Sequence, residues 1–358
     1  MSFPVTTIGG SVSTVIHLTR ANGFGPLPAL LEERAGERAV LGAFQAEGIP
    51  FAVVDALQTP IPLRAMVGLL DRAAHHLGDR TFGLELGERM AADAFGRWAL
   101  HGATSPTLAV AIRRLSCTIN LHQTGAHLEL ARHKRHFVLR HVMPLFERSI
   151  QTHADHIIAP MLMLCRRYLG MGWQPREIEL NYPRDPDAAQ LEERLGVPVR
   201  FGGRGVGVAL ETADLAQPLR FAPPPGSERL TVREVVAEAV LADAPEPARA
   251  ISALVALRLF EGETDIDGAA RMAGLSVQAL QRTLRDKGYS YRDIVGLARR
   301  RRAEALLRET DIPVLQVALT LGYDDHANFT RAFRRWVGCT PSHYRASAHA
   351  SLPLPDAG

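Results

Sequence analysis

The sequence predicts an α+β N-terminal domain with antiparallel strands and helices, followed by an all-α C-terminal domain in which two helix-turn-helix units are joined by a long helix. Three observations carry that prediction. A proline-rich break at Phe221-Ala-Pro-Pro-Pro-Gly-Ser227 divides the chain, because consecutive prolines cannot continue a helix and favour an extended spacer. Upstream of the break two segments alternate apolar and polar residues in period two, whereas downstream of 247 the periodicity is helical throughout. Finally, one helix-turn pattern, centred on Gly274, returns around Gly322. These features place one domain over 1–220, a linker over 221–246, a second domain over 247–346 and a flexible tail over 347–358. A length of 358 residues suits two such domains, each able to bury a core.

Residues 65–76 and 107–121 carry apolar side chains three and four apart and read as helices. Residues 126–132 and 136–142 alternate in period two, and the polar link His133-Lys134-Arg135 between them reads as a hairpin turn. Segments 177–182 and 197–201 complete an antiparallel sheet. The glycine string Phe201-Gly-Gly-Arg-Gly-Val-Gly207 lacks the Gly-Lys-Ser/Thr ending of a phosphate loop, so it reads as a turn or bulge beside a strand. Within the linker, 230–241 is spaced as a short connecting helix, before a second break at Ala244-Pro-Glu-Pro247.

In the second domain, Ala269, Ala270 and Ala273 give a helix a small packing face, and Gly274 can take the left-handed conformation that ends it. Ser276 then caps a second helix whose Leu280 and Leu284 share one face. Val277, Gln278, Gln281, Arg282 and Arg285 are left to the outward side and its edges. In the repeat, Ala318 and Gly322 take the places of Ala270 and Gly274, Asp325 supplies the cap, and Phe329 and Phe333 replace the two leucines. His326, Ala327, Asn328 and Arg331 then face solvent. The joining helix spans about Ser290 to Glu309, nearly 30 Å at 1.5 Å per residue. Two helices held that far apart match successive major-groove segments on one face of B-DNA, about 34 Å apart.

Composition excludes several other classes. Hydrophobic residues make up 46% and charged residues 22%, as in ordinary folded chains rather than disordered or fibrous ones. No segment approaches 18 uncharged apolar residues, and the start MSFPVTTIGG lacks a basic leader with an apolar run, so a cytoplasmic location without a membrane is expected. Cys117, Cys165 and Cys339 are odd in number and far apart, which suits a reducing compartment and gives no metal motif. The net charge of +3 is unevenly placed, with 15 basic against 11 acidic residues over 250–345 and 26 against 27 elsewhere. A basic C-terminal module is consistent with a nucleic-acid partner.

Residues 247–346 resemble the DNA-binding domains of the AraC/XylS family. The resemblance rests on GLSVQALQRTLRDKG in the first unit, on Ala303-Glu-Ala-Leu-Leu307 in the joining helix and on DIPVLQVALTLGYDDHANFTRAFRRWVGCTPSHYR in the second. It implies that Gln278, Gln281 and Arg282 face bases in one groove segment, and His326, Asn328 and Arg331 in the next. Ala279 and Ala327 lack reach; Ala327 could touch at most a thymine methyl, so the second helix should read fewer bases. Arg285, Arg299, Arg334, Arg335 and Arg345 are the phosphate candidates. Within the run Arg299–Arg302, four successive helical positions point in four directions, so at most one or two can face a single strand; pairing to Glu304 or Asp293 is the competing expectation.

The N-terminal domain more loosely resembles the arabinose-binding type found in one branch of that family, through Leu77-Gly78, Phe82-Gly-Leu-Glu-Leu86, Thr104-Ser-Pro-Thr-Leu108, Val197-Pro-Val-Arg-Phe201 and Leu215-Ala-Gln-Pro-Leu219. The resemblance implies a transcription regulator acting on double-stranded promoter DNA, commonly an activator that meets RNA polymerase, with a homodimer and a small organic effector such as an organic acid, amino acid or fatty acid. The competing reading is a ligand-independent repressor, or a DNA-binding protein whose N-terminal domain serves only protein interaction. Effector-binding residues cannot be read out. Seven histidines, at 122, 127, 133, 136, 141, 153 and 156, crowd the middle of the first domain; period-two strands scatter several of them over both faces, so surface positions rather than a metal site are expected. No nucleophile elbow, paired-histidine or catalytic-cysteine pattern occurs, so neither an enzyme nor a cofactor is expected.

Overall fold

The computed structural model describes residues 16–90, 94–133, 136–143, 150–221 and 247–350, apart from the side chains of Arg97, His349 and Ala350. The linker helix expected over 230–241, positions 134–135 of the hairpin turn and the tail beyond 350 lie outside the described residues. No described helix is long and apolar enough to cross a membrane.

The first described elements are β1 (Leu18–Arg20), α1 (Leu27–Ala35), α2 (Glu37–Ala46), β2 (Pro60–Pro62) and α3 (Leu63–Leu77). β1 and β2 pair antiparallel, and strands of three residues leave too little alternation to read. After α4 (Phe82–Glu88) and α5 (Gly96–Ala103), Thr107 starts α6 (Leu108–Thr118) by accepting the Val110 N–H at its hydroxyl. The expected hairpin is β3 (His127–His133) with β4 (His136–Val142), closed at the pair His133–His136. There follow α7 (Gln151–Leu169), β5 (Ile178–Glu179), α8 (Ala188–Leu195), β6 (Val199–Arg200) and β7 (Val206–Leu210).

The five strands form one sheet in the order β3-β4-β7-β5-β6, antiparallel except for the parallel pair β5–β6. The sequence anticipates β5 and β6 at greater length and misses β7. The reason is burial: all five residues of β7 are buried, and a strand covered on both faces reads as an apolar run rather than an alternation. α4 lies very close to α7. A Cβ at Gly83 or Gly87 would sit 2.3 Å from the carbonyl oxygens of Thr152 and His156, so only glycine permits the approach. Pro160, inside α7, leaves the His156 carbonyl without its helical N–H donor.

Downstream the chain is helical: α9 (Ala248–Arg258), α10 (Ile266–Ala273), α11 (Val277–Arg285), α12 (Tyr291–Glu309), α13 (Val314–Thr320), α14 (His326–Val337) and α15 (Pro341–Ala350). The last helix continues to 350, four residues into the expected tail. The cores do not divide where the proline-rich break suggests. Leu27, Phe44 and Leu69 of the N-terminal helices belong to one apolar cluster with Ile251, Leu254, Leu280 and Leu284, whereas the second unit has its own cluster around Leu307, Phe329 and Phe333. α9 is the shared element. It is buried along nearly its whole length, as expected of a helix with packing partners on all sides.

Candidate DNA-reading surface and ligand cavity

Each helix-turn-helix unit is built by local capping. Asp265 caps α10 by accepting the Gly268 N–H at 2.7 Å. Gly274 ends that helix in the left-handed conformation, at φ 69°, and Ser276 starts α11 by accepting the Ala279 N–H at 3.2 Å. In the second unit Gly322 turns the chain at φ 70°, and Asp325 caps α14 by accepting the Asn328 N–H at 2.6 Å. α12 opens on a capping box in which Ser290 and Asp293 bond reciprocally, and its 19 residues span about 28 Å.

Gln278, Gln281, Arg282 and Arg285 are all exposed along α11, and their side chains make no hydrogen bond or ion pair among the described residues. His326, Asn328, Arg331, Arg334 and Arg335 are exposed on α14. Here the side chains are partly organised: Arg331 donates to Asn328 Oδ1, whose amide nitrogen donates to Asp325. A planar guanidinium steered by a neighbouring amide is a pre-set donor for a base edge or a phosphate.

Two of the expected phosphate candidates also bond within the protein. Arg299 Nε donates to the Leu321 carbonyl at 2.8 Å and Nη2 to the Gly322 carbonyl at 3.0 Å, while the guanidinium lies 4.6 Å from the Tyr323 ring centroid. It ties the joining helix to the turn of the second unit. Arg345 Nη2 donates to the Ile312 carbonyl at 2.6 Å. Neither partner is near in sequence, so no local signal marks these roles. Arg300 pairs with Glu304 at 2.9 Å, the competing expectation for the basic run. Replacing Arg299 with alanine is therefore expected to destabilise the second unit by about 3 kcal/mol, the sum of three hydrogen bonds, one of them from Nη2 to the Thr264 hydroxyl at 3.3 Å, and a cation–π contact. Equilibrium unfolding measures the cost, and the salt dependence of DNA binding should keep its slope.

The first unit is also gripped from outside. Arg64, on α3, donates through Nε to the Met272 carbonyl at 3.1 Å and through Nη2 to the Arg271 carbonyl. A cation at the last carbonyls of α10 complements the helix dipole and joins the N-terminal region to the first DNA-reading unit.

The N-terminal half holds a cavity of about 460 Å³ between α5, α6, α7 and the β3–β4 hairpin. His122, His141, His153 and His156 line it, and they are 3–8% exposed. That corrects the expectation of surface histidines: β4 turns His141 inward, and α7 presents both His153 and His156 to the same space. Burial, with the charge of Arg20 adding to it, pushes His122 down to about 3, and burial brings His141 and His156 to about 4 and His153 well below its ordinary value. All four are neutral at physiological pH. Trp98 stacks on His122 with ring centroids 4.7 Å apart. The N-terminus of α7 is seated by Asp155, fully buried, which accepts from Arg80 and from the Tyr182 hydroxyl. No group of three or more potential metal ligands occurs among the described residues.

Two family models match the chain. Residues 39–219 match the family model described as the arabinose-binding domain of AraC transcription regulator, N-terminal, and residues 269–347 match a helix-turn-helix domain. The chain is 29% identical over 272 residues to the ornithine utilization regulator of Pseudomonas aeruginosa, covering 75% of this chain and 79% of that protein. It is 24% identical over 289 residues to the transcriptional regulator VirS of Mycobacterium tuberculosis, covering 79% and 84%. The crystal structure of the transcriptional regulator CdpR from Pseudomonas aeruginosa is 21% identical, with a TM-score of 0.40 and coverage of 86% of this chain and 98% of that one. The chain belongs to the AraC family, and it is a sequence-specific DNA-binding transcription regulator rather than an enzyme.

Proposed function

We propose that the protein is a ligand-responsive activator, in which a small organic effector occupies the N-terminal cavity and alters how the two reading helices meet promoter DNA. The observation that carries this reading is the 460 Å³ cavity lined by buried polar side chains, a size typical of small-molecule sites. Support for coupling comes from the shared core and the Arg64 contact, because an effector shifts an equilibrium only if the states it distinguishes differ at its site. In this reading Gln278, Gln281 and Arg282 read one groove segment, His326, Asn328 and Arg331 the next, and Arg285, Arg334 and Arg335 hold phosphates. The protein acts as a homodimer in the cytoplasm and contacts RNA polymerase.

Genome-wide immunoprecipitation from cells grown on several carbon and nitrogen sources tests the reading. Promoter peaks that change with nutrient support effector control, and fixed peaks of constant height on every source argue for a ligand-independent protein. Arg282→Ala should weaken binding at the cognate site by about 1–3 kcal/mol and relax preference at one base pair. Binding assays on a set of single-base operator variants check this, and uniform weakening on every sequence would reduce Arg282 to a phosphate contact.

A further inference from the structure

The cavity has two chemically different ends. Its α7 wall runs from His153 to Arg167, a rise of about 21 Å at 1.5 Å per residue. Near His153 the Nδ1 atoms of His122, His141, His153 and His156, the Gln123 amide nitrogen and the Trp98 indole nitrogen are all buried without a hydrogen-bond partner. Beyond them the wall is apolar, formed by Ile112, Leu115, Ile157, Met161 and Leu164. At the far end Arg167 lines the cavity with Nε and Nη2 buried and likewise unpartnered.

A buried polar atom left without a partner is costly, and a buried cation without an anion more so. So many polar groups without a protein partner around one space mark it as a binding site. The two ends ask for different groups. Arg167 presents a planar fork suited to a carboxylate. The opposite end has no cation in its lining to balance a second anion: the arginines that line the cavity, Arg166 and Arg167, both stand at the Arg167 end, and Arg20, whose charge reaches His122, is engaged by the Leu121 carbonyl and Gln58 outside the lining. The histidine end does supply N–H donors from Trp98 and Gln123, and the imidazoles can donate or accept.

We infer that the effector is an elongated monoanion whose carboxylate is held by Arg167, whose apolar chain lies along α7 and whose far end carries a neutral hydroxyl or carbonyl oxygen among His122, His141 and His153. This rests on the reading of the cavity as the effector site. It distinguishes the ligand from a simple alkyl carboxylate, which would leave the histidine end unsatisfied, and from a sugar, which would leave the apolar wall and Arg167 unused.

Calorimetric titration of the full-length protein with 10-hydroxydecanoate, decanoate and 1,10-decanediol tests the assignment. 10-Hydroxydecanoate should bind about tenfold more tightly than either of the others, since each end contributes a hydrogen-bonded group. Arg167→Met should weaken both carboxylates about tenfold and leave the diol unchanged, with Arg167→Lys recovering part of the loss and thermal melting showing that the variants are folded. Equal binding of decanoate and 10-hydroxydecanoate, indifference to Arg167→Met, or no binding of any probe overturns the assignment. Met163→Trp, which narrows the cavity between its two ends, separates that outcome from failure of the effector reading itself. If nutrient-dependent promoter occupancy is lost in Met163→Trp while the probes fail to bind, the effector reading stands and the ligand class falls. If occupancy still follows nutrient in Met163→Trp, both fall together.

Discussion

Gly322→Val is expected to unfold the second helix-turn-helix unit. The residue sits at φ 70°, where a β-branched side chain is strained, and its Cβ would lie 2.5 Å from the Gly262 carbonyl oxygen and 3.2 Å from Arg299 Nη2. Backbone strain of about 1–3 kcal/mol adds to an overpacking cost of about 1–3 kcal/mol. The loss falls on a small core of Leu307, Phe329 and Phe333 that the rest of the protein does not share. Gly338→Val is the matched control: φ is 87°, but nothing lies within 4 Å of its Cβ, so strain alone should apply. Calorimetric melting of both variants, with DNA binding, decides the matter. A Gly322→Val protein that melts with the wild type and binds its operator would remove this turn from the account.

Acid is expected to destabilise the N-terminal half steeply. His122, His141 and His156 are neutral in the folded protein down to about pH 4 and burial holds His153 well below its ordinary value too, whereas in the unfolded chain all four protonate near pH 6.5. Below 6.5 the unfolded state therefore binds more protons, so folding stability rises with pH and is lost as pH falls from 6.5 towards 4. Each histidine contributes up to about 1.4 kcal/mol per pH unit in that window, which for His122, His141 and His156 amounts to up to about 6 kcal/mol between pH 6.5 and 5, offset in part by Asp155, whose carboxyl burial raises to about 6. Denaturant unfolding at pH 7, 6 and 5 measures the slope. His156→Phe should flatten it by about a quarter, and a profile without slope between pH 7 and 5 would mean that these side chains are hydrated and not buried.

The parts of the fold legible in the sequence are those fixed by neighbours in the chain. Gly274 with Ser276, Gly322 with Asp325, and Ser290 before α12 are a left-handed residue or a cap next to an apolar period, and each acts over about four residues. The β3–β4 hairpin is legible for the same reason. What escaped depends on distant partners. β7 shows no alternation because both its faces are covered. Arg299 and Arg345 donate to carbonyls 22 and 33 positions away, contacts that no local pattern reveals. The cavity histidines come from α6's end, β4 and α7, and only the packing of those elements brings them together. Likewise, the proline-rich break suggests two separate cores, because nothing local reveals that α9 and the first unit complete the core begun by α1 and α3.

Hydroxyl-radical footprinting of the full-length protein on a promoter recovered by immunoprecipitation tests the central claim most directly, namely that α11 and α14 enter two successive major-groove segments of one duplex. Two protected segments about 34 Å apart on one face are expected, with Gln281→Ala and Arg282→Ala clearing the first and Asn328→Ala and Arg331→Ala the second. A single protected segment, or protection that responds equally to all four substitutions, would contradict it.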